Sequence, residues 1–474
     1  MPLLLGTNSI KDTGYNVDNS LRFNSGSSDT LTRTVSSASN RRTFTYSGWI
    51  KRGILGTGMG LFGQGDFPSS TGSDHFNIRF EGDDNIRIEP SGFDIKTNAV
   101  YRDCAAWYHI VLAVDTTQGT ASNRVKLYVN GVQETSLATA TYPDENEDTQ
   151  VNTAGDTGTV YLGDVFNGTG KFDGEMAHVH FIDGLAYQAS TFGETDSLTG
   201  IWKPITSPSV TYGTNGFFLK FASSGSMGTD SSGNSNNFTV NGNLTQTQDA
   251  PANVFSTMNP LDNFYAGSTF TNGNTTIQTT NGNYTFNTST IGASKGKYYT
   301  EIEYDTGTHP SADFAMIGVS GKVSTATSNT LGDNTGTAAY QSDDGQVHFN
   351  GTTVSYGDSY TKGDIIGIAL DIDNSKLYFS KNGVWQNSGD PTSGATGTGA
   401  ISITNVSSTD IGSYFIAVGD VDGTYNYTFK TNFGNGYFGT TPVASAGTNA
   451  SGIGIFEYDV PTGYTALSTK GLNL

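Results

Sequence analysis

Apolar and polar residues alternate with a period of two over runs of four to eight residues, and such runs recur from one end of the chain to the other. TFTYSGWIK, HFNIRFEG, NIRIEP, WYHIVLAVD, VKLYVNG, TVYLGD and MAHVHFID lie in the first half. YYTEIEYD, FAMIGVSG, QVHFNG, DIIGIALDID, KLYFSKNG, SYFIAVGD and YNYTFKTNFG lie in the second. Gly, Asn, Asp and Pro bound these runs, and no stretch sustains a helical period. Successive strand side chains face opposite ways, so the pattern predicts an all-β chain, most simply two antiparallel, jelly-roll-like β-sandwiches.

Two segments predict hairpins in register. In GIALDIDNSKLYFSKNGVW (367–385), pairing about Asn374-Ser375 sets Asp373 opposite Lys376, Ile372 opposite Leu377, Asp371 opposite Tyr378 and Leu370 opposite Phe379. Ile366, Ile368, Leu370 and Ile372 then share a face with Leu377 and Phe379, while Asp371 and Asp373 point away. The two aspartates read as part of a turn rather than as a metal or acid/base site. HIVLAVDTTQGTASNRVKLYVNGV (109–132) repeats the device with a longer loop, so that Ile110, Leu112 and Val114 meet Val125, Leu127 and Val129.

Length changes this picture by dividing it. At 474 residues the chain exceeds one ordinary core, so two domains are expected. Residues 1–205 form the first sandwich and 266–445 the second. Residues 206–265, with SSGSMGTDSSGNSNNFTVNGN, read as a Gly/Ser/Asn-rich linker with short strands at GFFLKF and NFTV. Residues 446–474 form a tail whose Ile, Phe, Tyr, Val and Leu predict docking. A net charge of -20, with 24 basic residues in no block, argues against nucleic acid or an anionic membrane surface as partner. The single cysteine, Cys104, allows no intrachain disulfide and no cysteine-based zinc cluster. MPLLLGTNSI lacks a basic flank and no apolar run reaches membrane length, so neither a secretory signal nor membrane insertion is expected.

Four constellations could carry chemistry. EIEYD sets Glu301, Glu303 and Asp305 on one strand face, but its spacing does not match the E-x-D-x-x-E pattern of the sandwich glycosidases, which need an acid and a nucleophile about 5 Å apart for retention; a solvated face is the expectation. HVH places His178 and His180 at metal-sharing spacing near Glu175, with Ala177, Val179 and Phe181 taking the core and the histidines exposed or at an interface. DENED opens like a calcium loop at Asp144, Asn146 and Asp148 but lacks its glycine and closing glutamate, and GDVDG (419–423) is no closer. The four tryptophans, in SGWIK, AWYHI, GIWKP and GVWQN, have neighbours that predict packing rather than a sugar platform.

FTYSGWIKRG, AWYHIVLAVDTT, VKLYVNGV, VYLGD and FDGEMAHVHFIDG together resemble a laminin G-like, concanavalin A-like lectin/glucanase sandwich over roughly residues 20–190. GKYYTEIEYD, AMIGVSG, GDIIGIALDIDNSKLYFSKNGVWQNSGDP, YFIAVGD and NFG, in that order, resemble a SPRY domain over roughly 270–440. The segments MPLLLGTNSIKDTGYNVDNSLRF, IDGLAYQASTFGETDSLTGIWKP, YGTNGFFLKF and DSSGNSNNFTV resemble proteins of tailed bacteriophages, marine ones above all. These resemblances imply a virion surface protein, on tail or capsid, that binds a host-surface glycan or protein through sandwich loops without catalysis. The alternative is a structural decoration or adaptor binding other virion proteins, and a polysaccharide depolymerase ranks last. A homo-oligomer is expected, with a trimer among its forms. No catalytic or cofactor-binding residues are expected, and calcium at Asp144, Asn146 and Asp148 is the one candidate metal.

Overall fold

The apolar faces foreseen from the alternation meet in two separate cores, one in the unit Gly14–Ala252 and one in the unit containing Asn253–Leu474. The computed structural model describes residues 16–473 except 66–74, 91, 166–169, 198, 264, 281–283, 311–312, 327 and 422. Nearly every described element is a strand, and the helical turns are 3-10 segments of three to six residues.

In the first unit one sheet runs Val132–Gln133, Val125–Val129, Trp107–Asp115, Thr43–Arg52, Gly174–Asp183, Ser20–Phe23, Thr245–Thr247, with Phe217–Leu219 also paired to Gly174–Asp183. The facing sheet runs Leu137–Thr141, Asp94–Thr97, Ile86–Pro90, His75–Phe80, Met59–Gly65, Thr159–Leu162, Thr30–Thr34, Thr239–Asn241. Phe44, Tyr46, Ile110 and Leu112 from one sheet meet Phe62, Phe76 and Ile78 from the other, and Phe62 stacks on Phe181 with centroids 5.4 Å apart. The 109–132 hairpin pairs Ile110 with Val129, Leu112 with Leu127 and Val114 with Val125, as expected.

In the second unit Tyr427–Asn432, Lys297–Gly307, Ile365–Asp371 and Lys376–Lys381 form the centre of one sheet, and the other runs from the edge strand Phe286–Ala293 through Tyr414–Asp420, Ala315–Ser320 and Thr337–Gln341. Here the hairpin register differs from expectation by two residues. Asp371 pairs with Lys376, Leu370 with Leu377 and Ile368 with Phe379, around a four-residue loop at 372–375. The loop closes because Ser375 N donates to Ile372 O at 3.2 Å, Ser375 takes φ 52, and Asn374 donates to both Asp371 oxygens at 3.0 and 2.8 Å. An even slip leaves each side chain on its own face, so the predicted apolar set still fills the core. What changes is Asp371, which is fully buried and 2.9 Å from Lys297 Nζ.

The stretch expected to be a linker, 206–265, is divided between the units instead: residues up to 252 belong to the first unit and add strands to its sheets, and 253–265 belong to the second. Phe217, Leu219, Phe238 and Leu244 enter its core, and strands Phe217–Leu219, Thr239–Asn241 and Thr245–Thr247 extend its sheets. The polar residues between them form a hydrogen-bonded knot. Asp230 accepts from the backbone of Phe218, Ser232 and Asn236, and the Asn234 and Asn236 amides donate to the carbonyls of residues 213, 214 and 216. A Gly/Ser/Asn composition suits a tether and such a knot equally. The division between units falls after Ala252.

Candidate functional site

The strand Gly174–Asp183 creates the most distinctive local chemistry. Its register against Thr43–Arg52 pairs Ala177 with Trp49 but His180 with Ser47, so the strand carries one residue more than its partner between those points. His178 sits within this bulge at φ 44, a left-handed conformation that non-glycine residues enter at a cost. The extra residue reverses the alternation. Met176 faces the core before the bulge, Val179 and Phe181 after it, and Glu175 and His180 both end up on the opposite face.

That face is covered rather than solvated, which corrects the expectation of exposed histidines. Phe192, Trp202, Tyr212 and Phe218 lie across it, leaving His178 6% and His180 2% exposed. His180 stacks on Phe218 with centroids 3.9 Å apart, and its Nδ1 lies 2.9 Å from the Tyr212 hydroxyl. His109 stacks on Trp49 at 4.7 Å. Its Nδ1 accepts from Trp202 Nε1 at 2.9 Å; since an indole only donates, the proton is on Nε2, which donates to Ser47 Oγ at 2.9 Å. Trp202 lies against Gly131 and Gly193, where an added Cβ would stand 2.5 Å from the indole. Burial pushes His109 down to about 3 and His178 down to about 4, Lys220 adding to the effect at His178, so both are neutral at pH 7.

Beside this wall lies a cavity of about 230 Å³ lined by Asn16, Asp18, Asn19, His178, Thr206, Ser207, Lys220 and Ala222. Seven of these eight side chains carry a hydrogen-bonding group. His178 Nδ1 is buried and has no hydrogen-bond partner among the described residues. Lys220, which also lines the cavity, has its Nζ 5.0 Å over the Phe218 ring.

Other predicted groups are placed elsewhere. Glu175 is buried beside Lys51, which bonds Asp249 at 2.5 Å. Glu301, expected on a solvated face, is fully buried. It accepts from Tyr299 Oη at 3.1 Å, Asn432 Nδ2 at 3.2 Å and the backbone N–H of Glu457 and Tyr458 at 2.8 Å each. Glu303 and Asp305 pair with Lys430 at 3.5 and 2.6 Å. No sequence neighbour announced Lys430; it comes from the adjacent strand.

In the acidic loop, Asp148 bonds Arg42 at 2.6 Å, Asp144 N donates to Glu147, and Asn146 takes φ 63 with its N–H on Thr116 O. Among the described residues no group of three or more His, Cys, Asp or Glu side chains is placed to hold a metal. Residue 422 of GDVDG and the leading stretch 1–15 lie outside the described residues. Sequence reasoning had not joined Asn16, Asp18 and Asn19 to Thr206, Ser207 and Lys220. They lie nearly two hundred positions apart, and only the bulged strand brings them to one place.

Residues 16–189 match the family model of the concanavalin A-like lectin/glucanases superfamily, and residues 297–409 that of the SPRY domain. No curated protein matches the chain. Among solved structures, the SPRY domain of human HERC1 is 17% identical, covering 33% of this chain and 86% of its own, with a TM-score of 0.24. A Bacteroides ovatus protein named for carbohydrate binding is 17% identical over 50% of this chain and 62% of its own, at 0.32. The heptameric SAP-like pentraxin of Limulus polyphemus is 16% identical over 37% and 80%, at 0.27. At such scores none of them says what this chain binds. The two family matches do establish its domain content: a concanavalin A-like lectin/glucanase-superfamily domain within residues 16–189 and a SPRY domain within residues 297–409.

Proposed function

We propose that the protein is a non-catalytic binding protein whose lectin-like unit takes one sugar residue of a larger glycan in the cavity at His178. The observation that carries this reading is the lining itself. Amides, hydroxyls, a carboxylate, a neutral imidazole and an ammonium converge on a space of about 230 Å³, the mixture of donors and acceptors that a ring of hydroxyls requires, in a volume below the roughly 300 Å³ at which whole-ligand sites begin and so suited to no more than a single sugar residue. The stacked aromatic and histidine layer beneath holds His178 in place. The carboxylates that could have served a depolymerase are engaged otherwise: Glu301 by four donors and Glu303 and Asp305 by Lys430.

The phage-like segments support a setting on a virion surface, tail or capsid, where the glycan would belong to a host envelope. The competing structural role drew on an exposed His178/His180 strand and on the docking tail, and the burial of both histidines removes the first of these supports. The test is binding of fluorescent full-length protein to host-type polysaccharide and cells, beside Ser207→Trp, which fills the cavity from an exposed position, and Asn19→Ala. At least tenfold weaker binding by the first variant and severalfold by the second is expected. Unchanged binding by both, with unfolding midpoints intact, would place the ligand elsewhere.

A further inference from the structure

We propose that the SPRY-containing unit carries its own ligand site, for a neutral, hydroxyl-rich sugar residue, in the cavity between the start of strand Lys297–Gly307 and the C-terminal segment. The space is about 330 Å³, and Lys297, Tyr298, Asp373, Ser451, Tyr464 and Thr465 are among the residues around it. That volume is at the small end of ligand sites, which run from roughly 300 to 1,000 Å³.

The charges decide the ligand class. Lys297 Nζ is 2.9 Å from the buried Asp371 and 5.7 Å from the centroid of the Tyr464 ring, so its charge is already balanced. Asp373 is exposed and uses Oδ1 to accept from Gly296 N at 2.7 Å. An anion would find no spare cation here, on a chain of net charge -20, and a cation would meet Asp373 with Lys297 nearby. Vicinal hydroxyls suit both charged groups at once: they can donate to the carboxylate and accept from the ammonium. Thr465 strengthens the case. Its backbone is fixed by parallel pairing with Tyr298, and its hydroxyl is buried without a hydrogen-bond partner among the described residues. A ligand hydroxyl would satisfy it.

The site joins two parts of different standing. Lys297, Tyr298 and Asp373 lie inside the SPRY match, whereas Ser451, Tyr464 and Thr465 follow its end at residue 409. The later segment is held down by Phe456, Val460, Tyr464 and Ala466, packed on Tyr299, Ala369 and Tyr378, and by the two backbone bonds to Glu301. The inference does not rest on the cavity at His178, which uses none of these residues.

The test is saturation-transfer NMR of the full chain with methyl glucoside, methyl galactoside and N-acetylglucosamine, and with glucuronate as charged comparator. The variants are Ala450→Trp, which closes the mouth from an exposed position, and Thr465→Val, which removes only the hydroxyl. With Ser207→Trp present to silence the other cavity, a neutral sugar should still bind, at least tenfold more weakly after Ala450→Trp and about threefold more weakly after Thr465→Val. Loss of all sugar binding in Ser207→Trp alone would overturn this site while upholding the one at His178. Stronger binding of glucuronate, no binding of any neutral probe by Ser207→Trp, or affinity unchanged by both new variants would also overturn it. Unfolding midpoints equal to the parent's separate lost binding from lost structure.

Discussion

Glu175 and Glu301 pose the same problem in the two units, and the units solve it differently. Each carboxyl is buried within a central strand of its sheet, on the side away from the main core. In the lectin-like unit the answer is charge. Lys51 bonds Asp249 and pairs across the sheet with Glu175, which has Arg22 on its other side, and although burial works against the Lys51 ammonium, Asp249 and Glu175 together hold its pKa above the ordinary lysine value. Burial, offset only in part by Lys51 and Arg22, pushes Glu175 upward, and its Oε2 has no hydrogen-bond partner among the described residues. In the SPRY-containing unit the answer is neutral donors. Two backbone N–H groups, a phenol and an amide surround Glu301, and burial still pushes it up to about 7. The first arrangement ties three distant chain segments together by charge; the second uses a carboxylate to fasten the C-terminal segment.

The largest expected effect follows from removing the cation. Lys51→Met leaves the buried Asp249 without its paired cation and Glu175 with Arg22 alone, and should cost about 3–5 kcal/mol in urea unfolding of the full chain. Replacing Lys51, Glu175 and Asp249 together by Met, Gln and Asn should recover most of it. A single-variant cost below about 1 kcal/mol would show that the cluster is not held by charge.

Glu301→Gln keeps the volume but offers one acceptor where there were two, and should cost about 1–3 kcal/mol. The loss should be local: faster amide exchange at Glu457 and Tyr458, with the lectin-like unit unchanged. Equal protection at those two amides in variant and parent would mean that the apolar contacts of Phe456 and Tyr464 suffice to hold the segment.

The pH dependence sharpens the same contrast. Because the Glu301 pKa is raised in the folded state, the folded protein binds this proton more tightly than the unfolded chain. Its contribution to stability is therefore fully present below the unfolded value near 4.5 and is lost as pH rises through about 7. Unfolding of the SPRY-containing unit, followed from pH 4.5 to 7.5, should show a decline attributable to this group that Glu301→Gln abolishes. An identical slope in the variant would assign the decline to other groups.

The smallest effect belongs to the acidic loop. Arg42 and Asp148 are both about half exposed, at 44% and 49%, so Arg42→Ala should change stability by less than about 1 kcal/mol. Added calcium should leave the parent's unfolding midpoint where it was. A clear upward shift, lost in Asp144→Asn, would instead show that Asp144, Asn146 and Asp148 gather around an ion.

Legibility differed between fold and site for one reason. Alternation is a local signal, and it sufficed for the strands, for the 109–132 register and for the face assigned to each residue from Ile366 to Phe379. That face survived a two-residue slip because parity did. The same rule misplaced His178 and His180, because it takes a covered sheet face for a solvated one and a bulge leaves no mark in the apolar pattern. Likewise, the composition of residues 222–243 could not separate a tether from a loop knotted around Asp230.

By itself, then, the amino-acid sequence determined an all-β chain with two cores, the segments that build them and the domain types they resemble. These depend on residues within a few positions of one another. The tertiary structure alone decided where polar groups meet: Lys51 with Asp249, Lys430 with Asp305, Glu301 with the backbone at 457 and 458, and Asn19 with Ser207 and Lys220 around a cavity. Polar partners are chosen by distance in space and by exclusion of water, and neither is written in the spacing of residues along a chain.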